Sequence, residues 1–357
     1  MSGGPDSAAE DGLCLGDLGE RGIQEKLLRP RYGGTDGFGD DCAFLGVADG
    51  EIVATTDTCP TPLVNILAEP DLYHAGWLLA TINLSDLAAA GATPLGLVVN
   101  YTLPKTTTVS AFQRLLDGVD DCAAAHGTRV VGGDMRDGES VHLSATAIGR
   151  CVPGSRVRRS GAAAGDRLLL IGSPGYLWAA ALLAGNRATL PAADTERIWS
   201  RARRPMAQLA AGRLLAEQRL LRAAMDVSDG LFATVRTLCE TNGLGAAVTS
   251  DIRLDDAVAA VAAQAGLRPF DLAQTWGDWT MVGVAASAED VSLIRKCLGE
   301  NNSVHEIGTL VPAAQGLTLR TGTTTVPWRG IAQERFSPSS WHGGDLPGLI
   351  TAVLGDP

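Results

Sequence analysis

Histidine is scarce in this chain, with five residues in 357, and none falls in an H-E-x-x-H or comparable ligand spacing. The seven cysteines (14, 42, 59, 122, 151, 239, 297) are odd in number and form no C-x-x-C pair. That excludes a zinc ribbon and argues against a disulfide framework; free thiols in a reducing cytoplasm are expected. No apolar run approaches the roughly 18 residues that span a bilayer. Residues Met1 to Glu10 lack a basic stretch followed by an apolar one, so no signal peptide is expected, and 1–14 reads as a disordered leader. Positive charge is also short: 29 Lys and Arg against 40 Asp and Glu leave a net charge of −11. With a pI of about 4.9, nucleic acid and anionic membranes are poor partners. No close internal repeat is present. A soluble, cytoplasmic protein is expected.

What the chain does have is enough apolar content, 45%, for two ordinary domains. It also has seven aspartates in five glycine- or apolar-framed segments: Gly39-Asp40-Asp41, Thr55-Thr56-Asp57, Asn83-Leu84-Ser85-Asp86, Gly132-Gly133-Asp134 and Asp226-Val227-Ser228-Asp229-Gly230. Carboxylates this dispersed cannot form a local calcium loop. They suit ligands gathered by folding around several hard cations, which at carboxylates usually accompany a nucleotide polyphosphate. The acidic net charge is no obstacle, because bound cations reverse the local sign.

The pattern predicts a helix over Gly16–Leu28, a glycine-rich loop over Arg29–Gly39, and a hairpin joining 43–47 to 52–56 through Asp49-Gly50. A helix over Leu72–Ala90, a strand over Leu95–Leu103, a helix over Ser110–His126 and strands over 129–131 and 141–149 complete a first α+β domain. After the basic connector 153–161, strands are expected at 166–171, 223–227, 246–249, 281–285 and 317–319. Helices are expected after Gly172-Ser173-Pro174-Gly175 and over 205–221, 231–242 and 288–297, with an irregular arm after Val326. The expected architecture is α+β or α/β in two domains, 15–152 and 153–345, with a tail over 346–357.

Each segment has a plain alternative. Asp40-Asp41 could be a surface turn. Asn83 and Asp86 could form a solvent stripe on an otherwise apolar helix, although an unpaired buried carboxylate is costly. Gly132-Gly133-Asp134 reads as glycines that let a phosphate approach the backbone after a strand. Asp226 to Gly230 places two carboxylates and a hydroxyl on a strand-to-helix turn, able to meet phosphate or merely to cap the helix. Arg159 is a phosphate clamp or part of a solvated linker. Trp276, Trp279 and Trp328 are core groups or stacking surfaces for a heteroaromatic substrate.

Taken in order, these segments resemble thiamine-monophosphate kinase, in the superfamily of aminoimidazole ribonucleotide synthetase, the hydrogenase-maturation dehydratase and selenophosphate synthetase. The resemblance covers about residues 15–335. It rests above all on the string Asn83 to Ala92 and on Met225-Asp226-Val227-Ser228-Asp229-Gly230-Leu231. It implies Mg²⁺ ligands at Asp41, Thr55, Thr56, Asp57, Asp86, Asp134, Asp226 and Asp229, with Asp57, Asp226 and Asp229 central to catalysis. Gly133, Asp134, Arg159 and Ser228 would lie on ATP. It further implies a homodimer formed through the N-terminal sheets, with ATP near that interface and direct γ-phosphoryl transfer to a substrate phosphate. Such transfer needs alignment and positive charge more than a general base.

The acceptor half departs from the family. Val64, followed by Asn65, stands in the place of a histidine that contacts thiamine monophosphate, and Gly277 stands where a substrate-contacting glutamate is expected in Thr275-Trp276-Gly277-Asp278-Trp279-Thr280. Trp328-Arg329-Gly330 is kept, but an expected aromatic is Ile331. The acceptor contacts therefore fall to Val64, Asn65, Gly277, Asp278, Trp279 and Trp328. Losing polar contacts from a substrate pocket changes its discrimination, so the expected activity is ATP-dependent phosphoryl transfer to a different small molecule. The alternatives are an authentic thiamine-monophosphate kinase, a ligase or cyclase that activates an amide or carboxylate with ATP, and a non-catalytic nucleotide-binding dimer.

Overall fold

The computed structural model describes residues 14–16, 18, 23–32, 51–299, 303–330 and 346–354. The expected hairpin turn at Asp49-Gly50, its first strand, Asp40, Asp41 and Ile331 lie outside the described residues. Two mixed sheets organise the described chain. In the first, β1 (Glu51–Thr58), β2 (Thr93–Leu103), β3 (Val130–Asp137) and β4 (His142–Cys151) lie in the order β1-β4-β2-β3. Side chains alternate between its faces with period two. Val99, Ala145 and Ala147 point to a buried face, while Ile52 on the other face is 54% exposed.

Helices α1 (Leu72–Ala89) and α2 (Val109–Ala125) are the main helices of the first core, together with Leu97, Val99 and Leu143 of the sheet. Asp71 caps α1 by accepting the Tyr73 N–H at 2.8 Å, and Arg114 of α2 pairs with the same carboxylate. The two helices meet backbone to backbone, since a Cβ at Gly76 would strike the Leu115 carbonyl and one at Gly118 would strike that of Tyr73. α1 is apolar all round, as a helix buried on several sides must be, and the Trp77 indole donates to the Pro205 carbonyl at 2.8 Å.

The second sheet contains β5 (Arg167–Ile171), β6 (Ala223–Asp226), β7 (Leu244–Thr249), β8 (Met281–Ala285), β9 (Val304–Pro312), β10 (Leu317–Thr321) and β11 (Thr324–Pro327). Their order is β11-β10-β7-β9-β5-β8-β6. Around it lie α3 (Tyr176–Ala184), α4 (Ala192–Arg203), α5 (Leu209–Glu217), α6 (Leu231–Asn242), α7 (Asp256–Gln264), α8 (Ala288–Leu298) and α9 (Leu346–Leu354). The two cores exchange residues: Leu63 and Val64 pack in the second, Ala207 and Leu209 in the first.

Several expectations are corrected. Gln24–Leu28 is a π-type turn, and Arg29–Tyr32 is helical rather than loop. Helix α5 begins at Leu209, not at Pro205, because Pro205 to Gln208 forms an irregular entry. The strand expected at 129–131 continues through Gly132-Gly133-Asp134, so those glycines form no loop. The arm after Val326 is not wholly irregular, since β11 runs to Pro327 and α9 is a helix.

Candidate active site

A cavity of about 640 Å³ opens between the two sheets. One wall is the end of β1 and the segment after it, from Asp57 to Val64. A second is a row on α1 of His74, Leu78, Ile82 and Asp86, spaced by four residues as neighbours along a helix surface must be. The turn after β6 contributes Asp226, Ser228 and Asp229, the connector Arg159, the end of α4 Arg203, and the loop before β8 Trp276, Gly277 and Trp279.

The polar residues of the Asn83-Leu84-Ser85-Asp86 string reach two walls. Buried Asn83 accepts the Asp57 N–H at 3.2 Å and donates to the Leu79 carbonyl at 2.9 Å. Ser85 lies beside Asp226 and acts to lower its pKa. Asp86 accepts the Thr55 hydroxyl at 2.6 Å. The string is therefore no solvent stripe; it joins β1 to β6 through α1.

Asp226 is 4% exposed. Burial raises its pKa to about 7, with the negative charges of Asp86 and Asp57 adding to the rise, while Ser85 and Arg159 oppose it. Carboxylates pressed together in this way favour a divalent cation, and their hard oxygens suit Mg²⁺. Among the described residues, no three His, Cys, Asp or Glu side chains converge tightly enough to cage a metal by themselves. The turn itself is no simple cap: no side chain caps the N-terminus of α6, and Ser228 reaches only the Asp229 carboxylate at 3.4 Å. Gly230, at φ +95°, makes the turn in a conformation that favours glycine.

The other sequence-derived residues separate. Thr56 faces away from Thr55 and Asp57, and its hydroxyl donates to the Ala145 carbonyl at 2.9 Å. Asp134 lies in the register row Asp134–Asn100–Ser144–Thr58, so it shares the face of Thr58 rather than that of Asp57. Three strand spacings separate it from β1, about 14 Å. It lines a different cavity of about 540 Å³, beside Lys105 and Arg136. Gly133, next to it, has no room for a side chain because a Cβ would strike the Val99 carbonyl.

In the acceptor half, Val64 lines the main cavity but Asn65 does not. Asp278 is turned away: its carboxylate accepts the Gly175 N–H at 2.6 Å and the Leu177 N–H at 3.0 Å, tying down the start of α3. Burial lifts its pKa to about 6, against the pull of these bonds. Trp328 packs edge-on to Phe232 at 5.1 Å and does not line the cavity. Trp279 does line it, with φ +50°, and its buried indole N–H has no partner among the described residues. Gly277 has φ +101°, and a Cβ there would collide with the Leu177 side chain. Sequence reasoning missed His74 and Arg203. For His74 a signal was available, twelve residues before Asp86 on the same helical row.

Residues 39–151 match the family described as AIR synthase related protein, N-terminal domain, and residues 163–319 match its C-terminal domain. A thiamine-monophosphate kinase from Halobacterium salinarum is 34% identical over 285 residues, covering 79% of this chain and 90% of the relative. Another from Synechococcus elongatus is 31% identical over 242 residues, covering 66% and 73%. The crystal structure of thiamine-monophosphate kinase from Stenotrophomonas maltophilia superposes with a TM-score of 0.68 at 26% identity, covering 81% of this chain and 91% of that one. AaThiL complexed with AMPPCP and TMP shares the fold, with a TM-score of 0.66 at 22% identity and coverage of 90% and 98%. Two AIR synthase related domains around an acidic interdomain cleft define the class. Within it, the chain belongs to the thiamine-monophosphate kinase family.

Proposed function

We propose that this ATP-dependent kinase passes the γ-phosphoryl group of ATP to a small anionic acceptor other than thiamine monophosphate. The observation that carries the altered acceptor is Gly277. Its φ of +101° disfavours any side chain, and a Cβ there would have to displace the end of the Leu177 side chain, so the glutamate that the family resemblance puts there does not fit this backbone. Val64, buried in the second core, likewise offers no polar atom where a histidine is expected.

The transfer end keeps its machinery. Asp57, Asp86, Asp226 and Asp229 would hold Mg²⁺, Thr55 fixes the Asp86 carboxylate, and Arg159 and Ser228 stand beside them for the nucleotide. Bound Mg²⁺ supplies charge neutralisation on the phosphate oxygens. The protein's part is to align two anions that repel each other and to exclude water. Asp41, Thr56 through its backbone, and Gly133 with Asp134 complete the proposed set. Asp134 shares with Thr58 the open face of the first sheet, which pairs with a second copy in the proposed homodimer. Exposed Ile52 on that face is consistent with such pairing. Residues 15–152 and 153–345 act as the two domains. Among the described residues no helix is long and apolar enough to cross a membrane, and the described cysteines are free thiols, in keeping with a cytoplasmic setting.

The test is a phosphate balance by mass spectrometry with Mg-ATP and thiamine monophosphate, followed by a panel of phosphorylated and carboxylated small molecules. Thiamine diphosphate and ADP formed at an efficient rate would refute the altered acceptor. Inorganic phosphate with an unphosphorylated condensed product would instead indicate the activating-ligase chemistry.

A further inference from the structure

His74 occupies the end of the acceptor cavity remote from the carboxylates. It precedes Asp86 by twelve residues on α1, which at the helical rise separates the two along the helix by about 18 Å. Its ring is held by an unusual clamp. The Asn65 amide donates through Nδ2 to the Asp71 carbonyl at 3.0 Å and accepts the Asp71 N–H on Oδ1 at 3.3 Å, so the orientation of the amide is fixed by the backbone. The same Oδ1 lies 3.1 Å from His74 Nδ1. An amide oxygen can only accept, so Nδ1 carries the hydrogen. In the neutral ring Nε2 is then left with a lone pair, and among the described residues it has no partner.

The surroundings favour the neutral ring. Burial lowers the His74 pKa; Asp71 acts the other way, and the positive charges of Arg203, Arg114 and Arg204 lower it further. Arg203 lines the same cavity, stacks over Trp199 at 5.0 Å and has no carboxylate partner among the described residues. A positively charged group brought to His74 would meet Arg203. A neutral hydrogen-bond donor would not be penalised.

We infer that His74 Nε2 reads the far end of the acceptor, accepting a hydrogen bond from a neutral N–H or O–H donor carried on a flat apolar body, with Asn65 as the residue that sets its tautomer. This rests on the acceptor-pocket reading above and adds the chemical class of the molecule: an anion at one end, an elongated apolar middle lying along Leu78 and Ile82, and an uncharged donor at the other end. A protonated aliphatic amine is disfavoured there. His74 is a specificity residue, too far from Asp86 to act as a base in the transfer itself.

The experiment uses the full chain with Mg-ATP and a matched pair of two-ring probes, (4′-aminobiphenyl-4-yl)methyl phosphate and its 4′-methyl counterpart. These are isosteric and differ only in the donor. Calorimetric titration of the wild-type protein is expected to show roughly tenfold tighter binding of the amino probe, the worth of one good hydrogen bond. His74→Leu should bind both probes equally, with Mg-ATP affinity and thermal midpoint unchanged. A long-range ¹H–¹⁵N correlation of the wild-type imidazoles should show the Nδ1–H tautomer for His74, with its Nε2 resonance moving only on addition of the amino probe. Equal binding of the two probes by the wild type, binding of neither, or discrimination that survives in His74→Leu would each overturn the inference. The wild-type comparison decides it even if the variant does not fold. If discrimination holds while no acceptor of any kind yields ADP, the phosphoryl-transfer reading fails and the role of His74 stands.

Discussion

Replacing Asp226 with asparagine is expected to stabilise the metal-free protein while destroying its use of Mg-ATP. The carboxyl of Asp226 moves from 3.8 to about 7 on folding, first through burial and then through the charges of Asp86 and Asp57. The folded chain therefore binds a proton here that the unfolded chain releases. Where the folded state holds more protons, stability falls as pH rises. The fall runs from about pH 4 to about pH 7 and then levels off. A displacement of about three pH units corresponds to about 4 kcal/mol at pH 8. In Asp226→Asn the site no longer titrates. Denaturation followed from pH 4 to 8.5 in chelator should show the variant close to wild type at the acid end and progressively more stable above it. At pH 8 the gain in thermal midpoint is about 5 °C. Addition of Mg-ATP should then raise the wild-type midpoint and leave the variant's unmoved. Parallel pH curves, or a variant less stable than wild type at pH 8, would refute the electrostatic account of this turn.

Asp57→Asn should reduce Mg-ATP turnover by at least a hundredfold in a coupled ADP assay, with an unchanged circular dichroism spectrum; wild-type turnover would remove Asp57 from the metal site. Gly277→Ala should lower the thermal midpoint through strain at φ +101° and contact with Leu177, together about 2–5 kcal/mol; a midpoint within a degree of wild type would show that the loop relaxes freely. Gly76→Ala, at the contact of α1 with α2, should cost at least about 2 kcal/mol in urea denaturation, because the group it strikes is the Leu115 backbone carbonyl and cannot rotate away.

Much of the transfer end was legible in the chain because its chemistry is local. The string from Asn83 to Asp86 and the turn from Asp226 to Gly230 each carry several polar groups within one helical turn or one bend, and their neighbours are apolar enough to fix the element type. The face that each residue takes was harder. Thr55, Thr56 and Asp57 form one motif in the sequence, yet strand alternation turns Thr56 away from the other two. Gly132-Gly133 reads as glycines that follow a strand and admit a phosphate, whereas Gly133 is itself a strand position that needs glycine because the Val99 carbonyl approaches it. β9 went unseen because Val304–Pro312 mixes polar and apolar residues, and its pairing with β5 and β7 comes from distant sequence. α4 has few apolar positions and α7 is built largely of alanine, so neither stands out by periodicity. The Gly277 substitution was visible, but its backbone angle was not.

The cavity divides its demands in a way that bears on whether the chain is a catalyst. Its acidic end is expensive: Asp226 alone withholds about 4 kcal/mol from the metal-free fold at neutral pH and above, and an asparagine would recover most of it. A protein that no longer used Mg-ATP would gain from that exchange and lose nothing. The far end has the opposite character. There the polar groups are few and neutral: Asn65 satisfies His74 Nδ1, while His74 Nε2 and the buried Trp279 indole N–H have no partner among the described residues. A cost kept where phosphoryl transfer would occur favours a protein that still uses Mg-ATP over one that has lost that use. On that argument the Asp226→Asn stability curve also separates these two readings. A flat difference across pH would remove the cost on which the catalytic reading leans, and a difference that grows from pH 4 to pH 7 would support it.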